Sequence, residues 1–247
     1  MADPTILELV NESQDELVLP RITTVVSNTS PDGRLFLQLV KRSAQDLIRK
    51  PENGWTILQR LHTFNSASGT AEYALPSDFD GLIINTIWNR TQITPLTGPL
   101  GAATWQEIKS GLIASGLYFQ RYRIVRSLTT IARKFTIDPT PSAIEALAFE
   151  YRSNAPFANT GLTTVADAPA ADTDVCLLDR NLMVLNIKWR FRRARGEDFT
   201  SELAEFNELL DERIAVDATA SALDLTAGQG TATRMIGWNN IPDSGYG

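Results

Sequence analysis

Apolar positions recur at helical spacing near both ends of the chain and alternate in the middle, and this contrast sets the expected fold. Ile6, Leu9, Val10 and Leu17 predict a short amphipathic helix over residues 5–17, closed by Pro20. Ser30 is placed to cap a second helix with Pro31 at its first position, where the missing N–H costs nothing. Leu35, Phe36, Leu39, Val40, Leu47 and Ile48 then share one face, and Pro51 ends the run.

From Trp55 to about Arg152 the pattern shortens. Residues 72–75, 83–89, 92–96, 118–125, 127–137 and 146–151 read as strands separated by turn residues. The period of two is plainest at Tyr122 and Ile124 and again at Ile131, Arg133, Phe135 and Ile137. Asp138-Pro139-Thr140-Pro141 then breaks it as a turn. An antiparallel sheet or small sandwich is expected. One helix interrupts it, predicted from a capping box of Thr104 and Glu107 ahead of Trp105, Ile108, Leu112 and Ile113. Residues 154–174 lack periodicity and read as a loop.

Helical spacing returns with Leu178, Leu182, Leu185 and Trp189, stopped by Gly196. A final helix over residues 199–218 aligns Leu203, Phe206, Leu210 and Ile214. The expected fold is α+β. Residues 1–54 and 175–216 form a helical bundle, residues 55–174 a β-rich insertion with one helix, and residues 217–247 an extended C-terminal arm. Within that arm Met235, Ile236, Trp238 and Ile241 are spaced apolar anchors in a segment too polar to fold alone.

Composition narrows the chemistry. The 247 residues carry 23 Lys and Arg against 29 Asp and Glu, a net charge of −6, so a general nucleic-acid clamp is disfavoured. One cysteine, Cys176, and one histidine, His62, exclude zinc clusters and disulfide frameworks within the chain. Cys176 lies among apolar residues and reads as a structural thiol. No basic and apolar leader opens the sequence and no apolar run approaches a membrane span, so a cytoplasmic origin and no membrane partner are expected. Neither a phosphate-binding loop nor a dinucleotide fingerprint is present, and no cofactor or catalytic residue is assigned.

Asp172-Thr173-Asp174 with Asp179 is a tight carboxylate cluster. It lacks the Gly and closing Glu of a calcium loop, and Asp174 or Thr173 is expected to cap the following helix. A metal-dependent hydrolase using Asp172 and Asp174 is the enzyme alternative. The run Lys188, Arg190, Arg192, Arg193 and Arg195 could contact phosphates. The next helix carries Glu202 and Glu205, however, and intramolecular or intersubunit pairing of Arg190, Arg192 and Arg193 with these carboxylates is preferred. A nucleic-acid-binding factor using residues 188–195 is the runner-up.

A set of short motifs in fixed order carries a further reading. Tyr73-Ala74-Leu75-Pro76-Ser77-Asp78-Phe79, Trp88-Asn89-Arg90-Thr91, Pro95-Leu96, Gly98-Pro99-Leu100 and Trp105-Gln106 come first. Phe149-Glu150-Tyr151, Asp172-Thr173-Asp174, Leu177-Leu178-Asp179, Trp189-Arg190 and Ile241-Pro242-Asp243 follow. Together they resemble the head-to-tail adaptor (connector) proteins of tailed bacteriophages. The resemblance implies a virion protein of the neck, assembled in the host cytoplasm as a ring of about twelve copies beneath the portal. It also implies tail or nozzle proteins as partners and passage of genomic DNA without specific binding. The C-terminal arm, with Met235, Ile236, Trp238 and Ile241, would dock on the portal.

Overall fold

A computed structural model describes residues 4–51, 54–110, 120–126 and 132–217. The chain is α+β, with five α-helices and antiparallel sheets among these residues. Helix α1 (Ile6–Glu16) opens on a reciprocal cap in which Thr5 Oγ1 accepts from Glu8 N–H and Glu8 accepts from Thr5 N–H. Helix α2 (Pro31–Ile48) is capped by Ser30, whose hydroxyl accepts from Gly33 N–H at 3.0 Å. Helices α4 (Arg180–Arg195) and α5 (Thr200–Asp217) are joined at Gly196, which takes φ 75°, a left-handed conformation suited to a residue without Cβ.

Helix α4 is the hub. Leu182, Met183, Val184, Leu185, Ile187, Trp189 and Phe191 are all buried, so it is apolar nearly all round. Helices α1, α2 and α5 each pack on it. Phe36 of α2 stacks on Phe191 with centroids 5.3 Å apart, and Phe206 of α5 lies against Trp189. Trp55, Leu58, Phe157 and Cys176 complete this core.

The β part holds strands β1 (Gln59–Asn65), β2 (Glu72–Ala74), β3 (Phe79–Leu82), β4 (Trp88–Asn89), β5 (Thr94–Pro95), β6 (Arg121–Arg126), β7 (Arg133–Asp138) and β8 (Ala146–Ser153). Strand β8 pairs with β1, β3 and β4, and β4 pairs with β5, while β7 sits between β2 and β6. The two sheets meet through aromatic rings: Phe149 of β8 stacks on Phe135 of β7 at 5.8 Å, and Phe135 on Tyr122 of β6 at 5.3 Å. Strands β9 (Phe157–Ala158), β10 (Val165–Ala166) and β11 (Val175–Cys176) form a third small sheet beside the helices.

Four local expectations are corrected. Helix α3 (Ala102–Ser110) already includes Thr104, so Thr104 is not its cap. Its chain begins two residues earlier, with Trp105 N–H bonding back to Gly101. Residues 83–87 are not strand: β3 ends at Leu82, and β4 spans only Trp88–Asn89. Strand β1 is added. None of its residues is fully buried, so its alternation is between exposed and half-buried positions and leaves little apolar signal. Residues 154–174, read as loop, contain β9 and β10, too short to show a period.

Candidate interaction surfaces

Each cation in the middle of α4 meets a different helix. Lys188 pairs with Glu16 of α1 at 2.6 Å, Arg190 with Asp46 of α2 at 3.1 Å, and Arg192 with Glu202 of α5 at 2.8 Å. Steps of two residues turn the side chain about 200° around a 3.6-residue helix, so Arg190 faces α2 while Lys188 and Arg192, about 40° apart, face the opposite side where α1 and α5 lie. Arg190 also donates to Asn186 Oδ1 and lies 4.6 Å from the Trp189 ring. Glu202 is buried; burial raises its carboxyl, but its own helix N–H, Ser201 and Arg192 outweigh that and leave it lowered. Arg193 and Glu205 are exposed and form no ion pair among the described residues. Arg195 lies over the Phe191 ring. Three of the five cations singled out in residues 188–195 are thus engaged inside the fold, which weighs against a phosphate-binding stripe.

The aspartates of residues 172–179 bind backbone, and the capping expectation is corrected. Asp179 caps α4, accepting from Leu182 N–H at 3.1 Å, because it is the residue immediately before the helix. Asp172 instead accepts from Val25 and Val26 N–H at 2.9 and 2.7 Å. Asp174 Oδ2 holds Ala170 and Ala171 N–H, while its carbonyl accepts from Ile6 N–H. The cluster therefore ties the chain's first helix and the loop after it to its C-terminal half. Among the described residues no group of three or more His, Cys, Asp and Glu is placed to hold a metal.

His62 lies on β1 against Phe64 and Phe149, and burial lowers its pKa from the ordinary 6.5. His62 lines neither the groove between α1, α4 and α5 nor the hollow beside Trp55, Thr56 and Leu178. Cys176 is buried in the helical core. The anchors Met235, Ile236, Trp238 and Ile241 lie outside the described residues. The point where their segment leaves the helices is fixed: Asp217, the last residue of α5, accepts from Thr56 N–H at 2.9 Å and Thr56 Oγ1 at 2.5 Å.

Several of the motifs that carried the resemblance supply fold-making contacts among the described residues. Asn89 is fully buried; it donates to Gln120 and Glu145 and accepts from Thr91 and Gln92 N–H, satisfying its amide completely. Asp78 accepts from Tyr151 and Ser153 hydroxyls at 2.9 and 2.7 Å. Gly98 has φ 154°, and a Cβ there would come within 2.6 Å of the Tyr122 carbonyl oxygen. These residues secure buried polar groups and close approaches, which substitution would leave unpaired or clashing.

A further surface was not foreseen. Helices α1, α4 and α5 enclose an open groove of about 390 Å³, walled by Glu12 and Glu16 on one side and Glu205, Glu208 and Glu212 on the other. Val184, Leu185 and Leu209 line it. The stripe at 205, 208 and 212 is legible at helical spacing, but its facing wall comes from α1, nearly 200 residues away in sequence.

A helical hub with an attached β part and surfaces of ion pairs and carboxylates are features of a structural, interaction-making protein. The family model for the SU10 adaptor protein matches residues 4–233, and the chain belongs to that family of bacteriophage adaptors. No curated protein matches the chain. An adaptor of this kind belongs to the virion neck, between portal and tail proteins. Among the described residues no helix is long and apolar enough to cross a membrane.

Proposed function

We propose that this protein is the head-to-tail adaptor of its virion: about twelve copies form a ring beneath the portal, extend the DNA channel and present a platform to tail or nozzle proteins. Membership of the adaptor family over residues 4–233 carries the reading. Two features support it. Residues 1–54 and 175–216 supply one helical bundle around α4, a rigid body suited to stacking side by side, with residues 55–174 as the β-rich part projecting from it. Residues 217–247 form an arm that docks on the portal through Met235, Ile236, Trp238 and Ile241, starting from the anchored Asp217. An acidic ring repels phosphates and lets the genome slide.

Electron microscopy of the chain mixed with its portal tests this reading. A closed ring at the portal's narrow end is expected, and removal of residues 218–247 is expected to abolish portal binding while the helices stay folded. Full portal affinity in the truncated chain removes the docking arm. Tight retention of DNA by the ring at low salt removes the sliding channel.

A further inference from the structure

The helical part carries two faces of opposite charge on opposite sides of α4. On α2, Phe36, Leu39, Val40, Ser43, Ala44 and Leu47 are buried. At about 100° per residue, Arg34, Lys41, Arg42 and Arg49 fall on the reverse side. Arg34, Arg42 and Arg49 are exposed and Lys41 half-buried, and none of the four has a carboxylate partner among the described residues. Gln38 and Gln45 fill the middle of that face, and Asp46 at its edge is taken by Arg190. Half-buried Leu37 and Ile48 border it.

Across α4 lies the acidic groove. Asn186 and Arg190 of α4 point to α2, reaching the Ser43 carbonyl and Asp46. Asn181, Val184 and Leu185 point to the groove, roughly half a turn away. Helix α5 carries six carboxylates and one cation, Arg213, which is used by Asp179. Glu205, Glu208 and Glu212 have no cation within reach among the described residues, whereas Glu12 and Glu16 on the other wall are held by Arg180 and Lys188.

We propose that the basic outer face of α2 on one subunit seats in the α1/α5 groove of the next copy, so that the ring closes through a head-to-tail contact of cations on carboxylates. This rests on the ring reading above. Opposite placement of the two faces is what a heterologous, closing interface needs, since each subunit must offer a different patch to each neighbour. Charge complementarity selects a second copy over the chain's own C-terminal segment: residues 218–247 hold one cation, Arg234, against Asp224 and Asp243. Half-buried Leu209 in the groove and Leu37 and Ile48 beside the cations supply the apolar part of the contact.

Two charge-reversed full-length chains test the contact, R34E/K41E/R42E and E205K/E208K/E212K, each checked for folding by circular dichroism and mixed with the portal. Native mass spectrometry then counts adaptor copies per portal. The wild-type chain is expected to fill the ring, each reversed chain to lose occupancy at least tenfold, and their equimolar mixture to recover it, because each groove then meets an oppositely charged α2. Should a reversed chain fail to fold, the R34Q/R42Q and E205Q/E208Q chains replace them, each expected to need several-fold more protein to fill the ring. Full occupancy by either folded variant, or a mixture of reversed chains that recovers nothing, overturns the contact while leaving the ring standing. A wild-type chain that never forms a ring on the portal overturns the ring reading and the contact with it. Unchanged occupancy with lost DNA retention in R34E/K41E/R42E assigns the α2 face to nucleic acid and overturns the proposal.

Discussion

The helical core and the β core are built on opposite plans. The helical core joins Ile6 to Leu58 with Phe157 to Leu210, so its two halves lie about a hundred residues apart and it is mostly aliphatic. The β core draws only on Phe64 to Tyr151 and is rich in rings, with Phe64, Tyr73, Phe79, Tyr122, Phe135, Phe149 and Tyr151 in mutual contact. Buried polar groups differ too. In the β core Glu145 gathers amide donors from Asn89, Gln92 and Gln120, a network of side chains. In the helical core the polar links are ion pairs from α4 and carboxylates on backbone N–H groups. The difference teaches that the β part is local in sequence and the helical part closes only when both ends of the chain are present.

The largest expected effect breaks that comparison at its centre. Phe149 is almost completely buried and touches rings from both sheets, so Phe149→Ala is expected to cost about 3–5 kcal/mol. Hydrogen exchange read peptide by peptide should show protection lost across residues 59–153 and kept in α4. Equal loss in both parts would mean a single cooperative unit. Next comes Asp172→Ala, which frees Val25 and Val26 N–H from a charged acceptor and is expected to cost about 2–3 kcal/mol in urea unfolding. Its effect belongs to the helical part, with exchange rising first in residues 20–30. A smaller loss, about 1 kcal/mol, is expected for Ser30→Ala at the start of α2.

The smallest effect is a pH dependence confined to the β core. Burial pushes Tyr122 up to about 12, and burial together with Asp78 does the same for Tyr151. In the unfolded chain both ionise near 10, so between pH 10 and 12 the unfolded state holds fewer protons and stability falls as pH rises. Absorbance at 295 nm should show a late titration phase from Tyr122 and Tyr151, and Tyr122→Phe should reduce it. A late phase unchanged by Tyr122→Phe would disprove the burial account.

Legibility followed the size of the local signal. Helix α1 is readable from its apolar spacing alone and α2 from Ser30 with Pro31, a chemical start signal next to a clear apolar face, whereas the Thr5 and Glu8 cap of α1 emerges from the structure. Gly196 and the apolar spacing of α4 and α5 were readable for similar reasons. Strand β1 was not, because Gln59 to Asn65 buries no side chain fully and is held by pairing with β8, which a single segment cannot reveal. The charged run of α4 reads as pairing material, but its partners Asp46 and Glu16 are not legible because both lie more than 140 residues away. Thr104 and Glu107 match a capping box yet lie inside a helix that starts earlier, so that pattern alone does not place the start of α3.

Residue order alone determined the α+β class, most helix ends, the acidic balance and the order of motifs, because each depends on neighbours within a few positions or on composition. Tertiary structure decided which carboxylate each cation of α4 takes, that Asp172 holds the loop before α2, and that glutamates of α1 and α5 face each other across a groove. Those outcomes depend on bringing distant segments within about 3 Å, the range of a hydrogen bond, and packing around α4 alone does that.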